Sequence, residues 1–389
     1  MQTSKEHRNQ EILQNLKAFL HRKGLSQRDF AHMLGKKESE VSRWFSGKFC
    51  ISKTTQSKIE EILQEPISSD SSFKSDSTIL KIGIIGTGNI ARRFAAEMSH
   101  VQYGEIIAAF NPDKNQLNRF CSEFNIKNSC NTLDELLSLS DAVYIASPMS
   151  THADYAHQCI AHKKHVLCEM PFTSSKEEAK ELYHTARLND CIITPALKTA
   201  FCPSFIQMKE IALSGIIGEI TDISGTVTTL LPEDTPTEYY NERLLENATY
   251  PLLAIFKLFG TGYRKIQVFS RKQEDKIQFA NVSLEYKEAI ASFKVGVGVK
   301  SEGSLVISGT KGYIYVPAPW WKTDYFEVRF ENQNDNKKYF FPYESSGLRY
   351  EIQAFIDSVK KRSFHKEYIT KEENLKILEI QNKIYNNGK

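Results

Sequence analysis

Three small residues at a fixed spacing, Gly86, Gly88 and Ala91, directly follow an apolar run over residues 80–85. This pattern is typical of a buried strand that turns sharply into a helix. Gly86 permits the turn, Gly88 lets a pyrophosphate approach the backbone, and Ala91 lets the helix pack closely on the strand. The amino end of such a helix attracts anionic charge. The spacing therefore predicts a dinucleotide site with five cofactor-binding residues, Gly86, Gly88, Asn89, Ile90 and Ala91.

The identity of the dinucleotide depends on the end of the second predicted strand, over residues 105–110. A carboxylate there binds the ribose 2′-hydroxyl of NAD, whereas a nearby arginine favours the 2′-phosphate of NADP. The chain has Asn111 at this position, and its side chain can donate a hydrogen bond to either form. Asp113 lies beyond the position expected for the carboxylate that binds the ribose. We therefore predict that Asn111 binds the cofactor, and both NAD and NADP stay open.

Strands and helices alternate on both sides of this turn. The predicted strands are 80–85, 105–110, 142–147, 165–168 and 191–197, and the predicted helices between them include 89–98, 114–124, 153–162 and 175–188. Such alternation favours a parallel sheet with helices on both faces. We therefore predict a Rossmann domain over residues 79–198.

The pattern changes after residue 199, where a helix over 203–214 precedes longer strands of alternating polarity. These strands are predicted at 219–230, 264–270, 277–285, 289–300, 303–309, 312–316 and 324–331, followed by helices at 347–361 and 371–386. Alternating polarity indicates a sheet with one covered face. The sequence thus predicts that residues 199–389 form an α+β domain with a large, open, mostly antiparallel sheet.

A small basic module precedes these domains. Residues 67–78 are rich in serine and have no periodicity, which indicates a flexible linker. Residues 1–66 carry 12 Lys and Arg against 8 Asp and Glu, a net charge of +4, whereas the whole chain has +3. The predicted architecture is therefore a basic module, a linker, and a near-neutral α/β body.

Short helices are predicted within residues 8–65, the second beginning after Ser26, the third over residues 38–46 and the fourth over about 54–63. Gly35 turns the chain between the second and third helices, which is a helix-turn-helix arrangement. The segments 25–35 and 41–47 resemble the Cro and phage-repressor type of DNA-binding domain. The outward positions of the third helix and the resemblance together predict double-stranded DNA as a partner of residues 1–66, through Gln27, Lys37, Ser39, Ser42, Arg43 and Lys48. The alternative is a module for protein contacts, which Glu38 and Glu40 favour because acidic groups repel phosphate.

Four further segments, at residues 141–152, 165–171, 218–220 and 309–317, resemble the Gfo/Idh/MocA oxidoreductases. The last segment is similar to the branch that holds glucose–fructose oxidoreductase and dimeric dihydrodiol dehydrogenase. The resemblance extends from about residue 80 to 386. It implies an NAD(P)-dependent enzyme for a sugar or polyol-like substrate. It also implies a homodimer or homotetramer assembled through the C-terminal sheet.

The resemblance also implies the site residues. The family's Glu-Lys-Pro motif is Glu169-Met170-Pro171 here, so the lysine between nicotinamide and substrate is absent. Tyr250 matches the position of the proton donor or acceptor, and Glu246 replaces an aspartate four residues earlier. The implied catalytic residues are Tyr250, Glu169 and Glu246, and the implied cofactor-binding residues after the later strands are Ser147, His152 and Glu169.

Each of these assignments has an alternative. Tyr250 could pack on the sheet as a helix-start aromatic side chain, and His152 could cap a helix at the edge of the cleft. Lys198, at the end of the strand over 191–197, could supply the missing ammonium group or be an ordinary solvated lysine. Because Met170 lacks a charge, two functions stay open: a working oxidoreductase with a regulatory module, or a non-catalytic sensor of cofactor or sugar that regulates transcription.

Composition excludes several other classes. No apolar run approaches the roughly 20 residues that span a bilayer, and the polar start of the chain predicts a cytoplasmic protein. The 7 cysteines include no C-x-x-C pair, so we predict reduced thiols and no metal site.

Overall fold

The computed structural model describes residues 12–13, 16–17, 20, 27–46, 51–52, 55–56, 59, 78–232, 234–342, 345–361 and 368–387. The chain divides into two compact units, Met1–Thr78 and Ile79–Lys389. Lys48, Ser26 and residues 67–77 of the predicted linker lie outside the described residues.

The first unit contains helices α1 (Gln27–Met33) and α2 (Glu38–Phe45), joined by a turn at Gly35, whose φ of +63° favours glycine. Residues 12–13, 16–17, 20, 55–56 and 59 are also helical. Val41 and Trp44 are buried because three residues along a helix return to the same face. They share a core with Phe30 and with apolar side chains of the flanking helical residues, Ile12, Leu16 and Ile59.

The second unit begins with a six-stranded parallel sheet in the order β3-β2-β1-β4-β5-β6. Its strands are β1 (Leu80–Ile85), β2 (Gly104–Phe110), β3 (Asn128–Cys130), β4 (Ala142–Ile145), β5 (His165–Glu169) and β6 (Ile193–Ala196). Its helices are α3 (Asn89–Glu97), α4 (Lys114–Phe124), α5 (Leu133–Leu139), α6 (His152–Ala161) and α7 (Lys176–Leu188). Because the strands are parallel, their carboxyl ends meet at one edge of the sheet.

The rest of the second unit contains helix α8 (Pro203–Leu213) and an eight-stranded sheet in the order β14-β13-β12-β11-β7-β10-β9-β8. The strands are β7 (Ile220–Thr229), β8 (Lys265–Gln273), β9 (Lys276–Glu285), β10 (Ile290–Val297), β11 (Leu305–Gly309), β12 (Tyr313–Val316), β13 (Tyr325–Arg329) and β14 (Lys337–Phe340). Only β7 and β10 pair in parallel among these neighbours. The predicted fold class, a Rossmann domain followed by a large and mostly antiparallel sheet, is confirmed.

Three more helices complete this unit: α9 (Thr237–Phe259), α10 (Leu348–Lys361) and α11 (Lys371–Asn387). Helix α10 returns to the parallel sheet, where Ile352 and Phe355 join the core formed around β1 and α3. The buried carboxylate of Glu97, at the end of α3, lies 2.6 Å from Nε of Arg349 in α10. This contact fixes the C-terminal part of the chain against the Rossmann sheet.

The sequence-based prediction missed some elements and placed others differently. β3, α5 and β14 span 3, 7 and 4 residues, which is too short for a clear periodic signal. The alternative that places Tyr250 at the start of a helix is wrong, since α9 is a continuous 23-residue helix with Pro251 inside it. Leu244, Asn247 and Ala248 continue its buried face ahead of Tyr250.

Among the helices in the described ranges, none is long and apolar enough to cross a bilayer. Within the same residues, no three His, Cys, Asp or Glu side chains cluster in a way that could hold a metal ion.

Candidate functional site

The turn after β1 is built around Gly86. Its φ of +92° lies in the region that disfavours side chains, and a Cβ there would lie 2.5 Å from the carbonyl oxygen of Ala146. The amide of Gly86 donates to the carbonyl oxygen of Phe110 over 2.9 Å. Glycine is therefore required at this position, because β1, β2 and β4 crowd the turn from both sides.

Gly88 ends the turn and caps the amino end of α3. A Cβ built on Gly88 would have no atom of the described residues within 4 Å. Asn89 is exposed and Ile90 half-buried, whereas Ala91 is fully buried against the sheet. The open space over a helix amino end fits a pyrophosphate, since free amide groups and the helix dipole both favour an anion there.

Asn111 follows β2 at the same sheet edge. Its Nδ2 donates to the hydroxyl of Thr87 in the glycine turn, and its Oδ1 accepts from the amide of Asp113 over 3.0 Å. The Asp113 carboxylate caps α4 by accepting from the amides of Asn115 and Gln116 over 2.9 and 3.1 Å. Asp113 is thus committed to the helix cap, and Asn111 stays the predicted ribose contact.

Ser147 and His152 lie beyond the carboxyl end of β4. The ring nitrogens of His152 lie 2.9 Å from the carbonyl oxygens of Pro171 and Ser147. Burial lowers the pKa of His152, against the opposing effect of these carbonyl groups. The imidazole therefore joins the loops that follow β4 and β5, while the half-buried Ser147 accepts a hydrogen bond from Thr151. Direct contact of either residue with a cofactor stays a prediction.

Glu169 ends β5, and its Oε1 accepts a hydrogen bond from the hydroxyl of the buried Tyr144 in β4. Burial raises the pKa of Glu169 from 4.5 to about 7, despite the opposing effect of that hydrogen bond, and the charge of Glu246 raises it further. At neutral pH this carboxyl group can hold or release a proton. The next residue, Met170, is buried and brings neither charge nor hydrogen-bond donor to the position where the resemblance implies a lysine.

Tyr250, Glu246 and Arg243 lie along one face of α9. The Tyr250 hydroxyl donates to Oε1 of Glu246 over 3.4 Å, and Nη1 of Arg243 lies 2.7 Å from Oε2 of the same carboxylate. Burial raises the pKa of Tyr250 well above 10, and the charges of Glu246 and Glu169 act in the same direction. The predicted tyrosine and both predicted acids therefore meet in one cluster, and Tyr250 keeps its proton at neutral pH.

Sequence reasoning missed Trp321, which lies next to this cluster. Its ring stacks on Tyr250 with centroids 5.9 Å apart and an interplanar angle of 26°. The carbonyl oxygen of Trp321 accepts from the Thr199 hydroxyl over 2.9 Å, which links the segment after β12 to the segment after β6. No periodic or motif signal marks Trp321, because only this long-range contact brings it to the site.

Lys198 lies two residues beyond Ala196, which pairs with Glu169 across β5 and β6. Its Nζ donates to the carbonyl oxygen of Ser346 over 2.8 Å. Burial lowers the pKa of Lys198, while the nearby acids, Glu351 and Glu169 among them, oppose the shift. The solvated alternative does not describe this lysine, since its ammonium group is held at the carboxyl edge of the sheet.

In the first unit, α2 separates its side chains by face. Ser39, Ser42 and Arg43 are exposed, whereas Val41 and Trp44 are buried, as the helical spacing predicts. Gln27, at the start of α1, and Lys37 are also exposed. Lys36 forms an ion pair with Glu40, so one of the acidic side chains of this helix is neutralised.

Family models match parts of both units of the chain. Residues 80–197 match the Gfo/Idh/MocA model, described as an oxidoreductase family with an NAD-binding Rossmann fold, and residues 16–69 match a helix-turn-helix model. The chain thus carries a Rossmann domain of the Gfo/Idh/MocA oxidoreductases and a helix-turn-helix domain.

Individual relatives include named dehydrogenases. A 134-residue stretch is 32% identical to scyllo-inositol 2-dehydrogenase (NADP(+)) IolU of Bacillus subtilis and covers 34% of this chain and 41% of that relative. A 255-residue stretch is 26% identical to trans-1,2-dihydrobenzene-1,2-diol dehydrogenase of Mus musculus and covers 63% and 77% of the two chains. The first of these matches therefore spans about two fifths of the relative's length.

Solved structures show the same fold over most of the chain. Levoglucosan dehydrogenase in complex with NADH and levoglucosan has a TM-score of 0.71 at 15% identity, covering 80% of this chain and 97% of that one. KijD10, a 3-ketoreductase from Actinomadura kijaniata in complex with NADP and TDP-benzene, has a TM-score of 0.70 at 19% identity, with 79% and 97% covered.

Proposed function

We propose that this protein, whose Rossmann domain belongs to the Gfo/Idh/MocA oxidoreductases, is an NAD(P)-dependent oxidoreductase for a sugar or polyol-like substrate. We propose also that its helix-turn-helix domain binds double-stranded DNA and gives the enzyme a regulatory role. Names of relatives such as scyllo-inositol 2-dehydrogenase and levoglucosan dehydrogenase support the substrate class.

One observation carries the enzymatic proposal. A proton-bearing tyrosine, Tyr250, lies within electrostatic reach of Glu169, which ends a strand at the same sheet edge as the open turn at Gly88. The residues of that turn and of the carboxyl edge would together hold a nicotinamide dinucleotide. The cofactor residues we propose are Gly86, Gly88, Asn89, Ile90, Ala91, Asn111, Ser147, His152 and Glu169.

When bound, the reduced nicotinamide supplies a hydride to the carbonyl carbon of the substrate. Tyr250 would turn its hydroxyl proton away from Glu246 and donate it to the carbonyl oxygen, while stacking on Trp321 keeps the ring in place. Solvent then returns a proton to Tyr250. Because the pKa of Tyr250 lies well above 10, its hydroxyl stays protonated at neutral pH and cannot itself accept the proton that alcohol oxidation releases. The site therefore favours carbonyl reduction over alcohol oxidation.

Met170 favours a second candidate, a non-catalytic sensor. The side chain at this position is buried and carries neither charge nor hydrogen-bond donor. In this alternative the body binds cofactor or sugar without turnover, and the ligand changes DNA binding by the helix-turn-helix domain. Tyr250 and its partner Glu246 favour the enzyme instead, since a sensor does not need a proton donor.

Exposure along α2 supports the DNA-binding half of the proposal. Gln27, Lys37, Ser39, Ser42 and Arg43 are the described residues that we propose to contact DNA. Side chains on the exposed face of such a helix reach base edges, while lysines contact phosphates. We also propose a homodimer or homotetramer through the eight-stranded sheet, which sedimentation velocity would test.

The decisive experiment measures cofactor binding first and turnover second. Titration of the full chain with NADH and NADPH should quench protein fluorescence. A screen of keto sugars should then show loss of the absorbance of the reduced nicotinamide as the hydride is transferred. Binding with turnover supports the enzyme. Binding without turnover, combined with ligand-dependent DNA affinity, favours the sensor. Absence of cofactor binding rejects the enzyme and leaves a sensor of sugar as the candidate.

A further inference from the structure

The segment after β12 places an indole group beside the proposed proton donor. The rings of Trp321 and Tyr250 stack with centroids 5.9 Å apart and an interplanar angle of 26°. Trp321 is half-buried, whereas its neighbour Trp320 is only 2% exposed. Trp321 therefore reaches Tyr250 from an element that carries none of the catalytic residues proposed above.

Hydrogen bonds fix the backbone on both sides of this indole group. The amide of Trp320 donates to the carbonyl oxygen of Gly303 over 3.2 Å, and its Nε1 donates to that of Thr226 over 3.1 Å. The carbonyl oxygen of Trp321 itself accepts from the Thr199 hydroxyl over 2.9 Å. The position of Trp321 is thus set by the fold, as a largely preformed ligand site requires.

The buried Gly303 makes room for one edge of the Trp321 ring. A Cβ built on Gly303 would lie 3.0 Å from Cζ3 and 3.3 Å from Cη2 of Trp321, the two ring atoms farthest from the pyrrole ring. Glycine therefore permits this close approach, because a side chain would push the indole group away. The opposite edge of the ring, which carries Nε1, points away from Gly303.

The indole nitrogens of the two neighbouring tryptophans differ in their partners. Nε1 of Trp320 donates to a carbonyl oxygen of the protein. Nε1 of Trp321 has no acceptor within the described part of the chain and is not enclosed by it. Since a tryptophan N–H usually finds a partner when it is buried, this donor is available to a group that enters the site.

We infer that Trp321 binds the substrate and selects for hydroxyl groups, its Nε1 donating to a hydroxyl near the carbonyl group that Tyr250 protonates. This inference rests on the proposed oxidoreductase function and adds the residue that recognises the polyol character of the substrate. An indole group offers an apolar surface with one polar edge, which suits a ring of C–H and O–H groups. A ketone without hydroxyl groups would leave the N–H without an acceptor in the occupied site, which costs affinity.

The kinetic test compares keto-inositol with cyclohexanone, which share a ring carbonyl group but differ in hydroxyl groups. The full chain should reduce keto-inositol with the higher kcat/KM. Trp321→Phe keeps an aromatic ring against Tyr250 but removes the N–H group. It should raise KM for keto-inositol about tenfold, with a smaller change in kcat and none for cyclohexanone. Trp44→Phe makes the same chemical change in the core of the first unit and should alter neither reaction.

Calorimetric titration measures the same contact without turnover. The full chain is saturated with NADH or NADPH and titrated with inositol and with glucose, and Trp321→Phe should weaken binding about tenfold. Gly303→Ala keeps the indole group but displaces its edge, so it should weaken binding as well.

The outcomes separate this inference from the proposed function. Unchanged KM and unchanged affinity in Trp321→Phe and Gly303→Ala overturn the inference, while turnover of keto sugars by the parent protein leaves the oxidoreductase proposal intact. Weaker inositol binding in Trp321→Phe, with no turnover by the parent, supports the contact and favours the sensor. If cofactor binds but none of these sugars and polyols does, the inference and the proposed substrate class both fail.

Discussion

The hydroxyl group of Tyr144 donates a hydrogen bond to the carboxyl group of Glu169, across neighbouring strands β4 and β5. Tyr144 is fully buried and stacks on Phe94 with ring centroids 3.9 Å apart. The acid that ends β5 is therefore held by a neutral partner in an apolar setting. Burial raises the pKa of Glu169 from 4.5 to about 7 as a result, even though the hydrogen bond favours the ionised form.

This shift makes stability depend on pH in a defined direction. Between its ordinary pKa of 4.5 and about 7, Glu169 holds a proton in the folded protein and loses it on unfolding. The free energy of unfolding should therefore fall as pH rises through this window. Urea unfolding of the full chain at about pH 5, 6 and 7 measures this slope. Glu169→Gln should flatten it, whereas Glu181→Gln, at an exposed position on α7, should not. An equal slope in all three proteins would contradict the assignment.

Tyr250 is expected to carry the proton transfer. Tyr250→Phe keeps the ring stacked on Trp321 but removes the hydroxyl group beside Glu246. Carbonyl reduction should fall by roughly 10²–10⁴-fold, while the dissociation constant for NADH or NADPH stays the same. Steady-state kinetics and fluorescence titration measure the two quantities. Unchanged turnover in Tyr250→Phe would reject its catalytic role.

Met170 is expected to limit the oxidative direction. A lysine at this buried position would place an ammonium group near Glu169 and Tyr250, and a nearby cation favours the ionised form of a proton acceptor. Met170→Lys should therefore raise the rate of alcohol oxidation more than the rate of carbonyl reduction. Met170→Leu is the control, because it keeps an apolar side chain of similar size. If Met170→Lys binds cofactor but oxidises alcohols no faster than the parent protein, the site is not arranged for catalysis.

Much of the cofactor turn, and little of the substrate side, follows from the sequence. The turn at Gly86 and Gly88 is predictable because its residues are adjacent in the chain and each has a local backbone or packing reason. Arg243 and Trp321 leave no local signal. The structure brings them to Tyr250 through α9 and through the contact of Thr199 with Trp321, and such long-range packing has no period in the sequence.

The glycine turn offers a direct test of the cofactor site. Gly88→Asp would place a carboxylate in the space proposed for the pyrophosphate, so both volume and charge oppose binding. Fluorescence titration should show loss of NADH and NADPH binding, with an unchanged circular dichroism spectrum. Gly262→Asp is the matched control. Gly262 is exposed, and a Cβ built there also has no atom of the described residues within 4 Å. Unchanged affinity in Gly88→Asp would reject the proposed cofactor position.

Arg43 is expected to read a base in the DNA target. It is exposed in the last turn of α2, on the face that also presents Ser39 and Ser42. If its guanidinium group contacts a guanine, Arg43→Ala should weaken specific binding by about 1–3 kcal/mol. Electrophoretic mobility shifts on fragments selected from random duplexes measure this, and affinity should fall steeply with salt.

Comparison of two variants separates base contacts from general charge. Lys17→Ala removes one positive charge from an exposed helical position outside the proposed DNA contacts. This control should leave the preference for the selected sequence over random DNA unchanged, whereas Arg43→Ala should reduce it. Equal loss of specific and non-specific affinity in Arg43→Ala would assign the arginine to a phosphate contact. No binding of any duplex at low salt would instead favour the alternative role of residues 1–66 in protein contacts.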